Sequence, residues 1–170
     1  LKKLKYPFEK EYSTEVAEVA STFLEFVSSY HLSDFYSRKE LNLALMDQLE
    51  TEIGLLSWIA VIDKFQHEIY TAKNLSKEKL RKIWLKIIRQ YRGNEGYWEE
   101  DKDLEQIGYT RQHHLVTAPL YYIEYAISLI AAIHLWERFE KNKKQALSQY
   151  NKGLSLGNTL STKEVYEKGF

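Results

Sequence analysis

The apolar residues of this 170-residue chain recur mostly every three or four positions, which is the spacing of an amphipathic α-helix. Strict alternation of apolar and polar residues, which is typical of a half-buried strand, is not sustained anywhere in the sequence. Only two prolines, Pro7 and Pro119, interrupt the helical pattern. The pattern therefore predicts an all-α fold, a multi-helix bundle in which residues 1–170 form a single helical domain.

Seven helices are predicted from this periodicity and from local start and stop signals. They cover about residues 11–30, 38–71, 77–91, 102–107, 119–141, 143–154 and 161–169. Ser76 is a good N-cap, and Ser161-Thr-Lys-Glu164 has the capping-box pattern. Pro119 suits the first turn of a helix, where its missing N–H costs nothing. Gly54 lies inside the longest helix, at a cost of about 1 kcal/mol relative to alanine, which favours a close helix crossing or a bend there.

Composition and charge argue against several classes of function and restrict the residues that could bind a metal. The chain has 24 basic and 24 acidic residues, so it shows no electrostatic footprint for nucleic acid or for an anionic membrane. It has no cysteine, so any metal must be held by His, Asp or Glu. No apolar run reaches the roughly 18 residues of a transmembrane helix, and the N-terminus lacks the apolar core of a signal peptide. We therefore expect a soluble, cytoplasmic protein with neither nucleic acid nor membrane as a partner.

The segment from Arg111 to Tyr125 is the most unusual in chemistry. Its notable residues are His113, His114, Pro119, Tyr121, Tyr122 and Tyr125. On a continuous helix the three phenols would project from neighbouring positions of one side. A buried tyrosine hydroxyl needs a hydrogen-bond partner, so a tyrosine row beside two histidines indicates a polar ligand. The alternative is that the tyrosines are amphipathic residues at the core edge and that one histidine caps a helix.

Two further patterns concern carboxylates and a metal motif. Glu18 and Glu25 are seven residues apart, which is two helical turns, so both carboxylates point the same way. Such a stripe is usually only the solvated face of a helix. His67-Glu68 begins like the zinc signature His-Glu-x-x-His, but Thr71 stands where the second histidine must be. We interpret His67 as structural or peripheral.

Several separated segments together resemble the oligoendopeptidase F and thimet oligopeptidase family of zinc metallopeptidases. Glu18-Val-Ala-Ser-Thr-Phe-Leu-Glu25 resembles the family's Glu-x-x-Ser-x-x-x-Glu segment. The stretch from Asp63 to Tyr70 is similar to the segment that follows it in the oligoendopeptidase branch, and Arg111 to Ala126 to that branch's substrate-binding stretch. Leu154-Ser-Leu-Gly157 also follows the pattern. The resemblance runs through nearly the whole chain in order and corresponds to the C-terminal part of the catalytic domain.

The resemblance implies a role for each matching residue. Glu18 matches the third zinc ligand, and Glu25 matches a second glutamate that supports the metal site from the same helical face. His114 matches the histidine that contacts substrate near the scissile bond. The tyrosines match the cluster that stabilises the oxyanion and binds the substrate backbone. We assign Tyr122 and Tyr125 as catalytic residues and Tyr121 as a substrate-binding residue, and the helical phase decides whether Tyr121 or Tyr122 faces the site. We place His113, where the sequence departs from the family, in the substrate-binding group.

The family's His-Glu-x-x-His motif, which carries two zinc ligands and the general base, is missing from this sequence. We therefore expect the C-terminal portion of a zinc-dependent oligoendopeptidase that hydrolyses short peptides, whose partners are the peptide substrate and the missing N-terminal part. The alternative is a catalytically inactive truncated homologue that acts as a helical peptide-binding or interaction module. In either case we expect this chain alone to bind zinc weakly and to be inactive, since one carboxylate cannot hold the metal against water. Apolar surfaces that faced the missing part should favour self-association.

Overall fold

The structure is a computed structural model that describes residues 3–92 and 102–170. These residues form eight α-helices, and no strand occurs among them, so the all-α prediction is confirmed. The helices are α1 Thr14–Ser28, α2 Arg38–Thr71, α3 Lys77–Arg92, α4 Lys102–Gln106, α5 His114–Thr117, α6 Ile123–Lys141, α7 Lys143–Leu156 and α8 Thr162–Gly169. Short 3-10 turns cover Pro7–Lys10, Ser29–Asp34 and Gly108–Arg111. Within the described ranges, no helix has the length and apolar character needed to cross a bilayer.

The chain folds into two compact units. One unit contains Leu1–Leu49 together with Glu124–Phe170, and the other contains Glu50–Ile123. Helix α2 contributes its first part to one unit and the rest to the other. Nearly all of α6 belongs to the same unit as α1, α7 and α8. We call these the terminal unit and the central unit.

The terminal unit has a core of apolar side chains from α1, α6, α7 and α8. Its buried members are Val16, Val19, Phe23, Ala132, Leu135, Phe139, Ala146, Tyr150, Val165 and Phe170. In α1, the apolar residues Val16, Val19 and Phe23 recur at helical spacing, and all three are buried. Two tyrosine hydroxyls also form long-range hydrogen bonds within this unit. Tyr12 donates to the carbonyl of Leu154, and Tyr150 donates to the carbonyl of Ala20.

The central unit is built around Trp84 of α3, whose side chain is 2% exposed. Aromatic neighbours surround this indole edge-on, with ring centroids 5.2 Å away at Phe65, 5.9 Å at Tyr109 and 5.9 Å at Trp58. The indole N–H donates to the carbonyl of Glu105 over 2.8 Å, so the buried polar group is satisfied. The aliphatic residues Ile59, Ile62, Ile87 and Ile88 of the same unit are also buried.

Several local predictions are wrong. Helix α6 begins at Ile123 and not at Pro119, because Leu120 takes a positive φ of 61° and the chain turns there. Among the described residues, no atom outside the neighbouring backbone of α2 would lie within 4 Å of a Cβ at Gly54, so the expected close crossing by a described helix does not occur there. The first part of α2 has an exposed apolar side chain at Leu49, which is 61% exposed. Residues 92–101, which two glycines and several polar residues predict to be a loop, fall mostly outside the described residues.

Candidate functional site

The histidine pair and two of the tyrosines come together in the central unit. The ring of His114 lies parallel to that of Tyr121, with an interplanar angle of 2° and 5.9 Å between centroids. The ring of Tyr122 is tilted by 53° against His114 at 5.1 Å. Tyr122 is 8% exposed, whereas Tyr121 and His114 are half-buried. The structure therefore places one imidazole against two phenols, and we call these three residues the His114 cluster.

A tight turn brings the two tyrosines next to His114. The short helix α5 ends at Thr117, and the N–H of Tyr121 donates to the carbonyl of Ala118 over 3.2 Å. Leu120 has a positive φ in this turn, a conformation that costs a non-glycine residue about 1–2 kcal/mol. Tyr121 and Tyr122 therefore precede α6, and the prediction that they lie on one continuous helix with Tyr125 is wrong.

His113 occupies the N-cap position of α5 but does not cap it with its side chain. Its backbone carbonyl accepts from the N–H groups of Val116 and Thr117 over 2.9 and 3.1 Å. Its exposed ring lies 4.0 Å from that of His114, centroid to centroid. The alternative in which one of the two histidines serves as a side-chain cap is therefore not supported for His113.

Sequence reasoning missed two residues that hold His114. The indole N–H of Trp58 in α2 donates to Oε1 of Gln112 over 3.0 Å. Nε2 of Gln112 in turn forms a hydrogen bond with Nδ1 of His114. Gln112 stands directly before the histidine pair, which is a weak signal in the sequence. Trp58 is 54 residues away from Gln112 and stands among apolar residues in the sequence. No sequence pattern links it to the histidines.

Partial burial lowers the pKa of His114 below its ordinary value of 6.5, and the neighbouring His113 lowers it further. Both effects disfavour the imidazolium. At neutral pH the ring of His114 is therefore uncharged, and it carries one N–H donor and one acceptor nitrogen. Such a ring can donate a hydrogen bond to a carbonyl oxygen without bringing a full charge into the site.

The carboxylate residues and Tyr125 lie in the terminal unit. Glu18 is half-buried in α1, and Glu25 is exposed two turns further along the same helix. Tyr125 is half-buried in the first turn of α6. The seven predicted site residues are thus divided between the units, with His113 and the His114 cluster in the central unit and Glu18, Glu25 and Tyr125 in the terminal unit.

The terminal unit also contains a buried carboxyl group that the sequence analysis did not single out. Oε2 of Glu124, at the start of α6, is buried without a hydrogen-bond partner among the described residues. Burial raises the pKa of Glu124 first, and the charges of Glu15 and Glu18 raise it further, against the opposing effect of a hydrogen bond with Thr14. The sequence signal that could have identified this residue is its place between tyrosines, in the segment Tyr121-Tyr-Ile-Glu-Tyr125.

The described residues do not assemble a metal site by themselves. Residues 3–92 and 102–170 contain no group of three or more His, Cys, Asp or Glu side chains that could hold a metal ion. A glutamate such as Glu18 is a suitable zinc ligand, but a zinc site needs three or four protein ligands. The described residues therefore offer a carboxylate that suits one position of a zinc site, but they do not make up a complete site.

His67, whose motif has Thr71 in place of the second histidine, lies on the exposed surface of α2. The ring of His67 is exposed, and its Nε2 lies 3.6 Å from the carboxylate of Asp63 on the same helix. Thr71 uses its hydroxyl to donate to the carbonyl of His67 over 2.7 Å. The side of α2 that carries His67 is therefore a solvated helix surface.

Comparison with solved structures identifies the fold as that of helical oligopeptidases. The chain superimposes on PZ peptidase A, solved with an inhibitor, with a TM-score of 0.88 over 98% of this chain and 30% of that one at 23% identity. It superimposes equally well on a crystal structure described as an oligoendopeptidase F, with a TM-score of 0.88, 98% and 29% coverage and 21% identity. At these identities the likeness establishes the fold alone.

The sequence establishes the family. Residues 2–169 match peptidase family M3, and the chain therefore belongs to that family. It is also 26% identical over 151 residues to an oligoendopeptidase F homologue from Borreliella burgdorferi, which covers 86% of this chain and 25% of that protein. The chain thus spans about a quarter of the length of this curated relative. The resemblance seen in the sequence segments is confirmed.

Proposed function

We propose that this chain is the portion of a zinc-dependent oligoendopeptidase that binds short peptide substrates and contributes the third zinc ligand. The observation that carries the proposal is the His114 cluster, since it lies inside a chain that matches peptidase family M3 over residues 2–169. A peptide is a chain of carbonyl acceptors and N–H donors, and the cluster offers an imidazole and two phenols as complementary groups.

In the proposed site, His114 and the tyrosines act as hydrogen-bond donors to the substrate. The neutral imidazole donates to the carbonyl of the scissile bond, and Tyr122 donates to the oxyanion that develops there. Each well-placed donor of this kind stabilises a transition state by about 2.7–4 kcal/mol. We propose the same catalytic role for Tyr125, on the family resemblance, and a substrate-binding role for Tyr121 and the exposed ring of His113.

Glu18 is the proposed zinc ligand, and Glu25 is the proposed support for it on the same helix. When bound in such a peptidase, zinc supplies an open coordination position and lowers the pKa of a bound water to about 7. The remaining two ligands and the general base would have to come from outside the described residues, so no step is assigned here to a metal on this chain. We predict that the chain alone binds zinc weakly and does not hydrolyse peptides.

Calorimetric titration of the 170-residue chain with short synthetic peptides tests the binding part of the proposal. We expect saturable binding that His114→Gln weakens by at least about tenfold, because a lost hydrogen bond leaves a buried polar group unpaired. His67→Gln is the matched control, since His67 is an exposed histidine of the same unit. Equal affinities of the two variants, or no binding by the unmodified chain, would contradict the proposal.

A reconstitution experiment tests the catalytic part. The chain is mixed, in zinc-containing buffer, with a separately produced segment of an M3 peptidase that carries His-Glu-x-x-His. We expect peptide hydrolysis that neither part shows alone, abolished by Glu18→Gln and reduced less by Glu25→Gln. Peptide binding without any reconstituted hydrolysis would instead support the alternative, a non-catalytic peptide-binding module.

A further inference from the structure

The hydrogen bond from Trp58 fixes the orientation of the Gln112 side-chain amide. An indole nitrogen carries one hydrogen and can only donate, so the group 3.0 Å away from it must be the amide oxygen. The amide NH2 group then occupies the other side of Gln112, which faces Nδ1 of His114. The assignment of oxygen and nitrogen in this amide therefore follows from the chemistry of the indole.

The orientation of the amide in turn fixes the hydrogen on His114. An amide NH2 group donates and cannot accept, so the Nδ1 atom that it contacts must be the acceptor nitrogen. A neutral imidazole has one donor and one acceptor nitrogen, so its hydrogen is on Nε2. The same contact disfavours the imidazolium, since both of its ring nitrogens carry hydrogens and an N–H at Nδ1 would oppose the amide.

These hydrogen bonds begin at Trp58, a side chain that packs against the core of the central unit. Trp58 packs edge-on against Trp84 with 5.9 Å between ring centroids and an interplanar angle of 83°. Trp84 is buried and is itself held by its bond to the carbonyl of Glu105. The Trp58 indole is therefore attached to the core of the central unit, and through Gln112 the core determines the orientation of His114.

We propose that Gln112, oriented by Trp58, is a positioning residue that holds His114 in the tautomer with its hydrogen on Nε2. The stacking of Tyr121 on one face and the tilted ring of Tyr122 restrict rotation of the imidazole, while Gln112 selects which nitrogen donates. The role of this tautomer, which is to present an uncharged N–H donor to a substrate carbonyl, rests on the proposed function. The tautomer itself can be measured without any substrate.

The test is long-range proton–nitrogen NMR of the 15N-labelled chain, which distinguishes protonated from unprotonated imidazole nitrogens. Among the five histidines, His114 is identified by the signal that is missing from the spectrum of the His114→Gln variant. We expect His114 above its pKa to show an unprotonated Nδ1 and a protonated Nε2. A protonated Nδ1 in the unmodified chain would overturn the proposal, whatever the peptide-binding experiment shows.

Two variants test how the tautomer is set. In Gln112→Glu the carboxylate can only accept, so we expect the hydrogen to move to Nδ1 and the pKa of His114 to rise by about one unit or more. Trp58→Phe keeps an aromatic ring against Trp84 but removes the indole donor, so we expect a mixture of tautomers. Gln145→Glu, an exposed position of α7, is the matched control and should leave the spectrum of His114 unchanged.

Each outcome decides between distinct conclusions. If Gln112→Glu leaves the Nε2–H tautomer in place, Gln112 does not select it and the proposal fails. If Trp58→Phe retains the pure Nε2–H tautomer, the indole does not orient the amide and that part fails. If the spectra change as expected but the unmodified chain binds no peptide, the positioning by Gln112 stands and the proposed function fails.

Discussion

The hydroxyl oxygen of Ser128 in α6 lies 3.0 Å from the backbone carbonyl oxygen of Glu15 in α1. Ser128 is 1% exposed, and its hydroxyl is also 2.7 Å from the carbonyl of Glu124 one turn earlier in its own helix. Tyr166 of α8 donates to the same Glu15 carbonyl over 3.3 Å. Three helices of the terminal unit therefore meet at the helical turn that precedes Glu18.

We predict that Ser128→Ala lowers the free energy of unfolding by about 1 kcal/mol, the usual net contribution of a hydrogen bond in a protein interior. The loss should be modest because Tyr166 still donates to the Glu15 carbonyl. The measurement is urea denaturation followed by circular dichroism. Ser155→Ala is the control, since the exposed Ser155 donates its hydroxyl to the carbonyl of Lys152 in its own helix. An equal loss in both variants would contradict a role for Ser128 between α1 and α6.

The raised pKa of Glu124 predicts a pH dependence of stability. An ordinary glutamate titrates near pH 4.3, whereas burial and the charges of Glu15 and Glu18 raise the pKa of Glu124 in the folded state. Between the two pKa values the folded chain binds more protons than the unfolded chain. The contribution of Glu124 to stability is therefore fully present at low pH and is lost as the pH rises through the raised pKa.

Glu124→Gln removes this titration while it keeps the shape of the side chain. We expect the variant to gain stability relative to the unmodified chain as the pH rises from 4.5 towards 8, with the difference measured by urea denaturation at each pH. Comparing the two chains cancels the titration of the histidines. Glu140→Gln, at an exposed position of the same helix, controls for the loss of a surface charge. A difference independent of pH would show that Glu124 titrates normally.

The bounds of the long helix could be predicted from the sequence, whereas the start of α6 could not. Apolar residues at helical spacing continue through residues 38–71, and the structure has α2 at Arg38–Thr71. Pro119 is equally well suited to a first helical turn by local rules. The left-handed conformation of Leu120 overrides that preference. A positive φ is uncommon for leucine, so the sequence does not predict this turn.

The candidate site shows the same division between local and distant information. His114, Tyr121 and Tyr122 are within nine residues of one another, so their proximity was visible in the sequence. The bond between Trp58 and Gln112 joins positions 54 residues apart, and it depends on how α2 packs in the central unit. A single tryptophan on an apolar helix face carries no sign that its N–H will orient a distant amide.

Gly157 is predicted to be intolerant of any side chain. It ends α7 with a φ of 54°, and a Cβ there would overlap the backbone carbonyl of Glu9, which accepts a hydrogen bond from the N–H of Asn158 over 2.8 Å. We expect Gly157→Ala to destabilise the chain by about 1–3 kcal/mol from backbone strain alone, and by more once Glu9 is displaced. Thermal denaturation measures the effect.

Gly54→Ala is the matched substitution, and we expect it to raise the thermal stability of the chain. Gly54 lies inside α2, and a Cβ there meets no atom within 4 Å. Alanine in a helix interior is more stable than glycine by about 0.5–1 kcal/mol, so this variant should melt at a higher temperature. A stabilised Gly157→Ala, or a destabilised Gly54→Ala, would show that the backbone differs from this description at the glycine concerned.

The first part of α2 presents apolar side chains to solvent at every third position. Leu43, Met46 and Leu49 are 57%, 58% and 61% exposed. Complete burial of one such side chain contributes about 1.5–3 kcal/mol, so a surface that covers all three is favourable. Contiguous exposed apolar side chains of this kind are typical of an interaction surface. For the chain alone, the available partner is a second copy.

We predict that the isolated chain self-associates through this surface, as measured by sedimentation equilibrium over a wide range of protein concentrations. Replacing Leu43, Met46 and Leu49 together by glutamine should weaken association by at least about tenfold, because each substitution removes roughly 1 kcal/mol or more of apolar burial. Helix content should remain unchanged, since glutamine is a good helix former and these positions are already exposed. Ile127→Gln, at an exposed position of α6, is the control. A chain that stays monomeric at the highest concentration, or association that only the control weakens, would assign no self-association to this face of α2.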